Sequence, residues 1–171
     1  MNLFKLFKIA EDKHDDCGQL FEKIYELGAD MAETELKKIT ATAGLCGRVA
    51  YADTEITDDE ISKIKAMLRN DSKLSANAAD IVVTLILEKK VELLTLEEHF
   101  YTRLANESMD DNEKRSLLKN MFLIAAADGT ICLEEENMLF NVASQLKLPR
   151  QAVVDLKREF KDYLSVFQSD K

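Results

Sequence analysis

Apolar residues in this chain return every three or four positions from Leu20 almost to the end. That is the period of helices with one buried face, not the alternation of strands. Leu20, Phe21, Ile24 and Tyr25 mark a first helix, with Gly28 as its stop. Asp30 then starts a longer helix that carries Met31, Leu36, Ile39, Leu45 and Val49 to Ala52. Its later half holds Ala41, Ala43, Gly44, Gly47 and Ala50. Glycine inside a helix costs about 1 kcal/mol against alanine. Two glycines three apart therefore predict that another helix lies close against this face.

The helix starts carry their own signals. Thr57-Asp58-Asp59-Glu60 reads as a capping box, opening a helix through Ile61, Ile64 and Leu68 to about Asn70. Ser75 caps the next, which holds Ile81, Val82, Leu85, Ile86 and Leu87. Apolar on several sides, it is expected to be the central, most buried helix. Thr95-Leu96-Glu97-Glu98 reads as a second capping box, ahead of Phe100, Tyr101 and Leu104. Asp110 or Asp111 caps a helix through Leu117, Leu118, Met121, Phe122 and Ile124 to Ala127. Met138, Leu139, Val142, Ala143 and Leu146 form the next. Leu148-Pro149 marks a fresh start, since proline is tolerated in a first helical turn. The last helix shows Val153, Val154, Leu156, Phe160, Tyr163, Leu164 and Phe167.

The pattern predicts an all-α chain: a single-domain helical bundle of eight to nine helices, occupying residues 30–167. Residues 1–29 form a helical lead-in and linker. Five glycines and one proline in 171 residues agree, because a β sandwich or barrel needs many more turns.

One stretch is written twice. Val49-Ala50-Tyr51-Ala52-Asp53-Thr54-Glu55-Ile56, ending in Glu60, parallels Ile124-Ala125-Ala126-Ala127-Asp128-Gly129-Thr130-Ile131, ending in Glu135. Asp53 aligns with Asp128, Ile56 with Ile131 and Glu60 with Glu135, always 75 residues apart. An internal repeat implies two pseudo-symmetric helix-turn-helix units. Each acidic residue at the new helix start meets the positive end of the helix. Each isoleucine is expected to point inward and pin the turn.

Asp-Gly-x-Ile-x-x-x-Glu also matches the second half of an EF-hand loop. The first and third loop positions would be Ile124 and Ala126 in one copy, Val49 and Tyr51 in the other. None of these offers a side-chain oxygen, so a standard EF-hand site is excluded. A hard cation can still bind if ligands from the two copies converge. Asp53, Glu55, Glu60, Asp128, Glu134 and Glu135 are the candidates, and oxygen donors favour Ca²⁺, Mg²⁺ or Mn²⁺ over zinc. Acids at helix starts also serve as plain caps, and Asp-Gly as an ordinary turn. Both readings stand on the sequence.

These residues carry a resemblance. Ala-x-Ala-Asp-Gly-x-Ile followed by an acidic helix start, present twice, resembles the tellurite-resistance TerB-like family of bacterial helical domains. Phe100-Tyr101-Thr102-Arg103-Leu104 and Asp111 to Leu118 are similar to the segment before the second turn, and Val142-Ala143 with Leu146-Lys147-Leu148 to the one after it. The likeness runs from about Asp30 to Phe160. It implies an all-helical fold with pseudo-twofold halves, a cytoplasmic or membrane-surface location, and a link to stress from toxic oxyanions. It implies no enzyme activity, and it suggests metal binding at the acidic turns. Carried over by position, Asp53, Glu60, Asp128 and Glu135 are the functional acids. The first copy departs at Thr54, where the family prefers glycine and a β-branched residue resists positive φ. The second departs at Cys132, where Ser, Thr or Asp is the usual cap.

Charge and the remaining reactive residues narrow the function. A net charge of −9 and the lack of a basic, aromatic-interleaved patch exclude nucleic acid as the main ligand. Acidic excess suits cations or a basic protein partner. Cys17, Cys46 and Cys132 are odd in number and far apart, which fits a reducing compartment and a cytoplasmic location. Residues 2–9, with Leu3, Phe4, Leu6, Phe7, Lys5 and Lys8, read as a helix tucked onto the domain or a frayed end. At most they make a peripheral membrane contact. His14 and His99 have no ligand-spaced partners and read as solvated or locally paired. Cys46, among Gly44 and Gly47, reads as a small core residue. Cys132 lies at a helix start, where a thiol pKa can fall; packing is the plainer reading, and it is the one thiol to test for oxyanion or metalloid reactivity. No Ser/His/Asp set or phosphate-cradling glycine loop is present. The expected function is a non-enzymatic module that binds a divalent cation or a basic partner through paired acidic turns. The alternative is an interaction adaptor whose acids are only caps.

Overall fold

The computed structural model describes residues 17–51, 58–71 and 75–164. Among them run nine α-helices and no strand: α1 (Cys17–Leu27), α2 (Glu33–Ala50), α3 (Asp58–Asp71), α4 (Ala76–Glu88), α5 (Lys90–Thr95), α6 (Glu98–Ser108), α7 (Asp111–Ala125), α8 (Leu133–Gln145) and α9 (Arg150–Glu159). A 3₁₀ turn at Lys161–Tyr163 follows. The amphipathic segment 2–9 and His14 lie outside the described residues.

The centre of the bundle is α2, not α4. Every residue from Ile39 to Gly47 is buried, and α4, α5, α6 and α7 all pack against this helix. Small side chains explain why. With Ala41, Ala43, Gly44 and Gly47 on its surface, α2 admits neighbours on several sides. At Gly44 the approach is closest: a β-carbon there would overlap the ring of Tyr101 on α6. Tyr101 is fully buried, and its hydroxyl donates to the Leu93 carbonyl of α5 at 2.9 Å. One aromatic ring thus joins three helices. In α4, Ile81, Val82, Leu85 and Ile86 are buried, but Leu87 is 41% exposed.

Several caps form as expected. Ser75 Oγ accepts from the Ala78 amide at 3.2 Å. Asp110 and Glu113 form a reciprocal capping box at the start of α7. The start of α3 lies next to residues outside the description, including Thr57.

Three boundaries differ from expectation. Thr95 does not cap α6; it ends α5, a short helix without a sequence signal, and its hydroxyl donates to the Val91 carbonyl at 2.8 Å. Distant side chains end this helix. Arg48 on α2 donates to the Leu94 and Leu96 carbonyls, and Tyr101 holds that of Leu93. Likewise α2 begins at Glu33 after an uncapped Ala32, not at Asp30. The Met31 amide closes onto the Gly28 carbonyl at 2.8 Å. A β-carbon at Gly28 would overlap the end of the Leu36 side chain and crowd the Ile24 carbonyl, so Leu36 would have to move aside. Finally, α9 stops at Glu159. Leu164 does not extend it; it forms a parallel bridge with Ile131 and is fully buried.

The close approach at Gly44 yields a ranked prediction. Gly44→Ala is expected to lower unfolding stability by about 1–3 kcal/mol through overpacking. Gly47→Ala, whose β-carbon meets the flexible Leu93 Cδ1 at 3.3 Å and Ile86 Cγ1 at an ordinary 3.7 Å, is expected to be far milder, because it gains helix propensity. Urea melts of the two variants check the order.

Candidate functional site: the acidic turn between α7 and α8

The second copy of the duplicated motif lies in the turn from Ala126 to Cys132. Helix α7 closes with the Ala126 amide on the Phe122 carbonyl and the Ala127 amide on that of Ile124. The Gly129 amide then turns back to the Ala126 carbonyl at 3.0 Å, with Gly129 at φ 97°. Side chains rarely tolerate that conformation, so glycine is needed here for its backbone freedom. Asp128 is exposed, and its Oδ1 accepts from the Thr130 amide at 2.9 Å. The carboxylate shapes the loop as an Asx turn. Ile131 is fully buried, as the pattern predicts.

Helix α8 opens with an unusual cap. Cys132 Sγ accepts from the Glu135 amide at 3.5 Å, and Glu135 Oε2 accepts from the Cys132 amide at 2.9 Å. This is a capping box with a thiol in the hydroxyl's place. Glu135 is therefore buried and folded back on the helix end, whereas Glu134 is exposed. The thiol does not become acidic. Burial raises the Cys132 pKa above its ordinary value; the Glu135 amide opposes the rise, and the Glu134 and Glu135 side chains add to it. The lowering that a helix start can bring does not occur here: partial burial and two adjacent carboxylates outweigh the helix end.

Glu136 escaped the sequence reading. It is 6% exposed, and its Oε1 accepts from Lys157 Nζ of α9 at 2.6 Å. Lys157 also lies over the Phe140 ring, 5.1 Å from its centroid. Three successive glutamates thus do three things: Glu134 faces solvent, Glu135 caps, and Glu136 ties α8 to α9. Only their order around the helix separates them, and sequence spacing alone did not reveal it.

In the other copy, Asp53 and Glu55 lie outside the described residues. Glu60 lies in the first turn of α3, and its side chain is outside the description. The flanking helices keep the sequence offset, with α2 ending at Ala50 and α7 at Ala125, and α3 starting at Asp58 and α8 at Leu133. Lys38 on α2 and Glu113 on α7 meet in an ion pair at 2.6 Å. Among the described residues no three His, Cys, Asp or Glu side chains gather as a metal-binding group. Asp128, Glu134 and Glu135 therefore do not make a closed coordination sphere by themselves.

The other reactive side chains are structural. Cys46 is fully buried, and burial pushes its thiol up to about 12. His99 is exposed and pairs locally with Glu97 at 2.9 Å. An open depression of about 600 Å³ at the start of α7 is lined by Asp110, Asn112, Glu113, Arg115 and Ser116. It includes none of the residues of the acidic turn.

The family model described as Tellurite resistance protein TerB matches residues 39–158, from the buried stretch of α2 to the end of α9. The chain belongs to the TerB family. No curated protein and no solved structure matches it. The TerB match takes in both copies of the motif and the Gly44–Tyr101 contact. Among the described residues of this TerB domain, no helix is long and apolar enough to cross a membrane.

The thiol cap is testable in two ways. Cys132→Ala is expected to lose about 0.5–2 kcal/mol of stability and Cys132→Ser to match or exceed the parent, since hydroxyls cap well; thermal melts measure both. Because the thiolate is the reactive form, alkylation of native Cys132 is expected to rise with pH at a midpoint above that of a free cysteine. A midpoint below it would contradict the upward shift.

Proposed function

We propose that this TerB-family chain is a non-enzymatic cytoplasmic binding module in the response to toxic oxyanions. Its acidic turns present carboxylates to a divalent cation, Ca²⁺, Mg²⁺ or Mn²⁺, or to a basic surface of a protein partner. Asp128 and Glu134 serve in the described turn, with Asp53, Glu55 and Glu60 as their counterparts. The supporting observation is the turn itself: its backbone is fixed by Gly129, the Asx turn and buried Ile131, while Asp128 and Glu134 remain exposed. Preorganised anionic oxygens bind cations at lower entropic cost than flexible ones. TerB domains are generally non-enzymatic, and the one thiol of the turn, Cys132, is used as the cap of α8 with its pKa raised.

A second reading has its own support. Asp128 Oδ1 and Glu135 Oε2 both accept from backbone amides, as purely structural caps would. In that reading the chain is an interaction adaptor indifferent to cations.

Thermal unfolding with added Ca²⁺, Mg²⁺ or Mn²⁺ separates the two. A ligand at a hundred times its Kd adds about 2.7 kcal/mol, so a rise of several degrees is expected at millimolar concentration of the preferred ion. The combined variant Asp128→Asn, Glu134→Gln is expected to reduce that rise. A melting temperature unmoved by all three ions rejects the cation and leaves the adaptor.

A further inference from the structure

Most assigned amide bonds of the acidic turn are local. Ala126, Ala127 and Gly129 donate to carbonyls of Phe122, Ile124 and Ala126, and Thr130 and Cys132 donate to the carboxylates of Asp128 and Glu135. The Ile131 amide reaches much further. It donates to the Tyr163 carbonyl at 2.6 Å, beside the parallel bridge between Ile131 and Leu164.

The segment that supplies this carbonyl is slight. Phe160 stacks on Phe122 of α7, with centroids 5.3 Å apart and rings inclined by 23°. Leu164 is fully buried. Between these two anchors Lys161, Asp162 and Tyr163 form a single exposed 3₁₀ turn. Among the described residues two of its side chains, Phe160 and Leu164, are buried, and Lys161 and Asp162 make interactions of their own, whereas α2 is buried along most of its length. A segment with so few buried contacts opens at lower free energy than the core.

We propose that Phe160–Leu164 is a latch on the acidic turn. Docked, it fixes the Ile131 amide and gives the face bearing Asp128 and Glu134 a single shape. Released, it loosens residues 128–132 while the helices stay folded. A ligand that favours the fixed turn then tightens the latch, and docking of the latch strengthens that ligand by the same factor. This consequence rests on the binding role proposed above; the latch itself does not.

Native-state hydrogen exchange on the full chain without ligand tests it. The Ile131 and Leu164 amides are expected to exchange through one shared opening, at least tenfold faster than the Met121 amide inside α7. Leu164→Ala is expected to speed Ile131 exchange tenfold or more, with Leu45 and Leu104 unchanged. Ile131 protection equal to that of Met121, or unaffected by Leu164→Ala in a folded variant, overturns the latch. If that variant does not fold, the comparison within the parent protein decides. Cation titration is independent of these readings, so either idea can fail without the other.

Discussion

The bundle depends on one close approach. Helix α2 can occupy the centre only because Gly44 leaves room for the Tyr101 ring, and the ring's hydroxyl then ties α5 to the same point. Interiors are packed as densely as crystals, so a contact without a β-carbon cannot be moved without shifting three helices. Arg48, also on α2, holds the carbonyls at the end of α5 and so sets where α6 begins. The central helix therefore determines both the packing and the boundaries of its neighbours.

The acidic turn is built on that frame by different forces. Its shape comes from short-range bonds, a glycine at positive φ, one buried isoleucine and the long-range bond from the Ile131 amide to the Tyr163 carbonyl. The frame supplies position: α7 packs on α2, and the Glu136–Lys157 pair holds α8 to α9. The carboxylates then divide by location. Glu135 caps, Glu136 bridges, and Asp128 and Glu134 are exposed. Asp128 combines both situations, exposed to solvent while its Oδ1 shapes the loop through the Thr130 amide.

Much of this was readable from the chain. The helical period, the Ser75 and Asp110 caps, the inward Ile131 and the close-packed glycine face rest on local rules, and local rules are written in sequence. The turn at Gly129 was equally plain. The errors share one cause. Thr95 satisfied the capping-box spacing, yet Arg48 and Tyr101, far away in sequence, decide where α5 ends. Phe160, Tyr163 and Leu164 kept a helical period, yet the backbone demand of Ile131 pulls Leu164 into a bridge. A helix start can lower a thiol pKa, but the burial and neighbouring glutamates that raise that of Cys132 emerge only on folding. In α4 the apolar count pointed to the centre, while the small residues of α2 decided it.

A double-mutant cycle between Gly44→Ala and Tyr101→Leu tests the central contact most directly, with stability read from urea melts. If the glycine is there to seat the ring, removing the ring relieves most of the cost of the added methyl, and the coupling is about 1 kcal/mol or more. Strict additivity of the two changes would contradict the account.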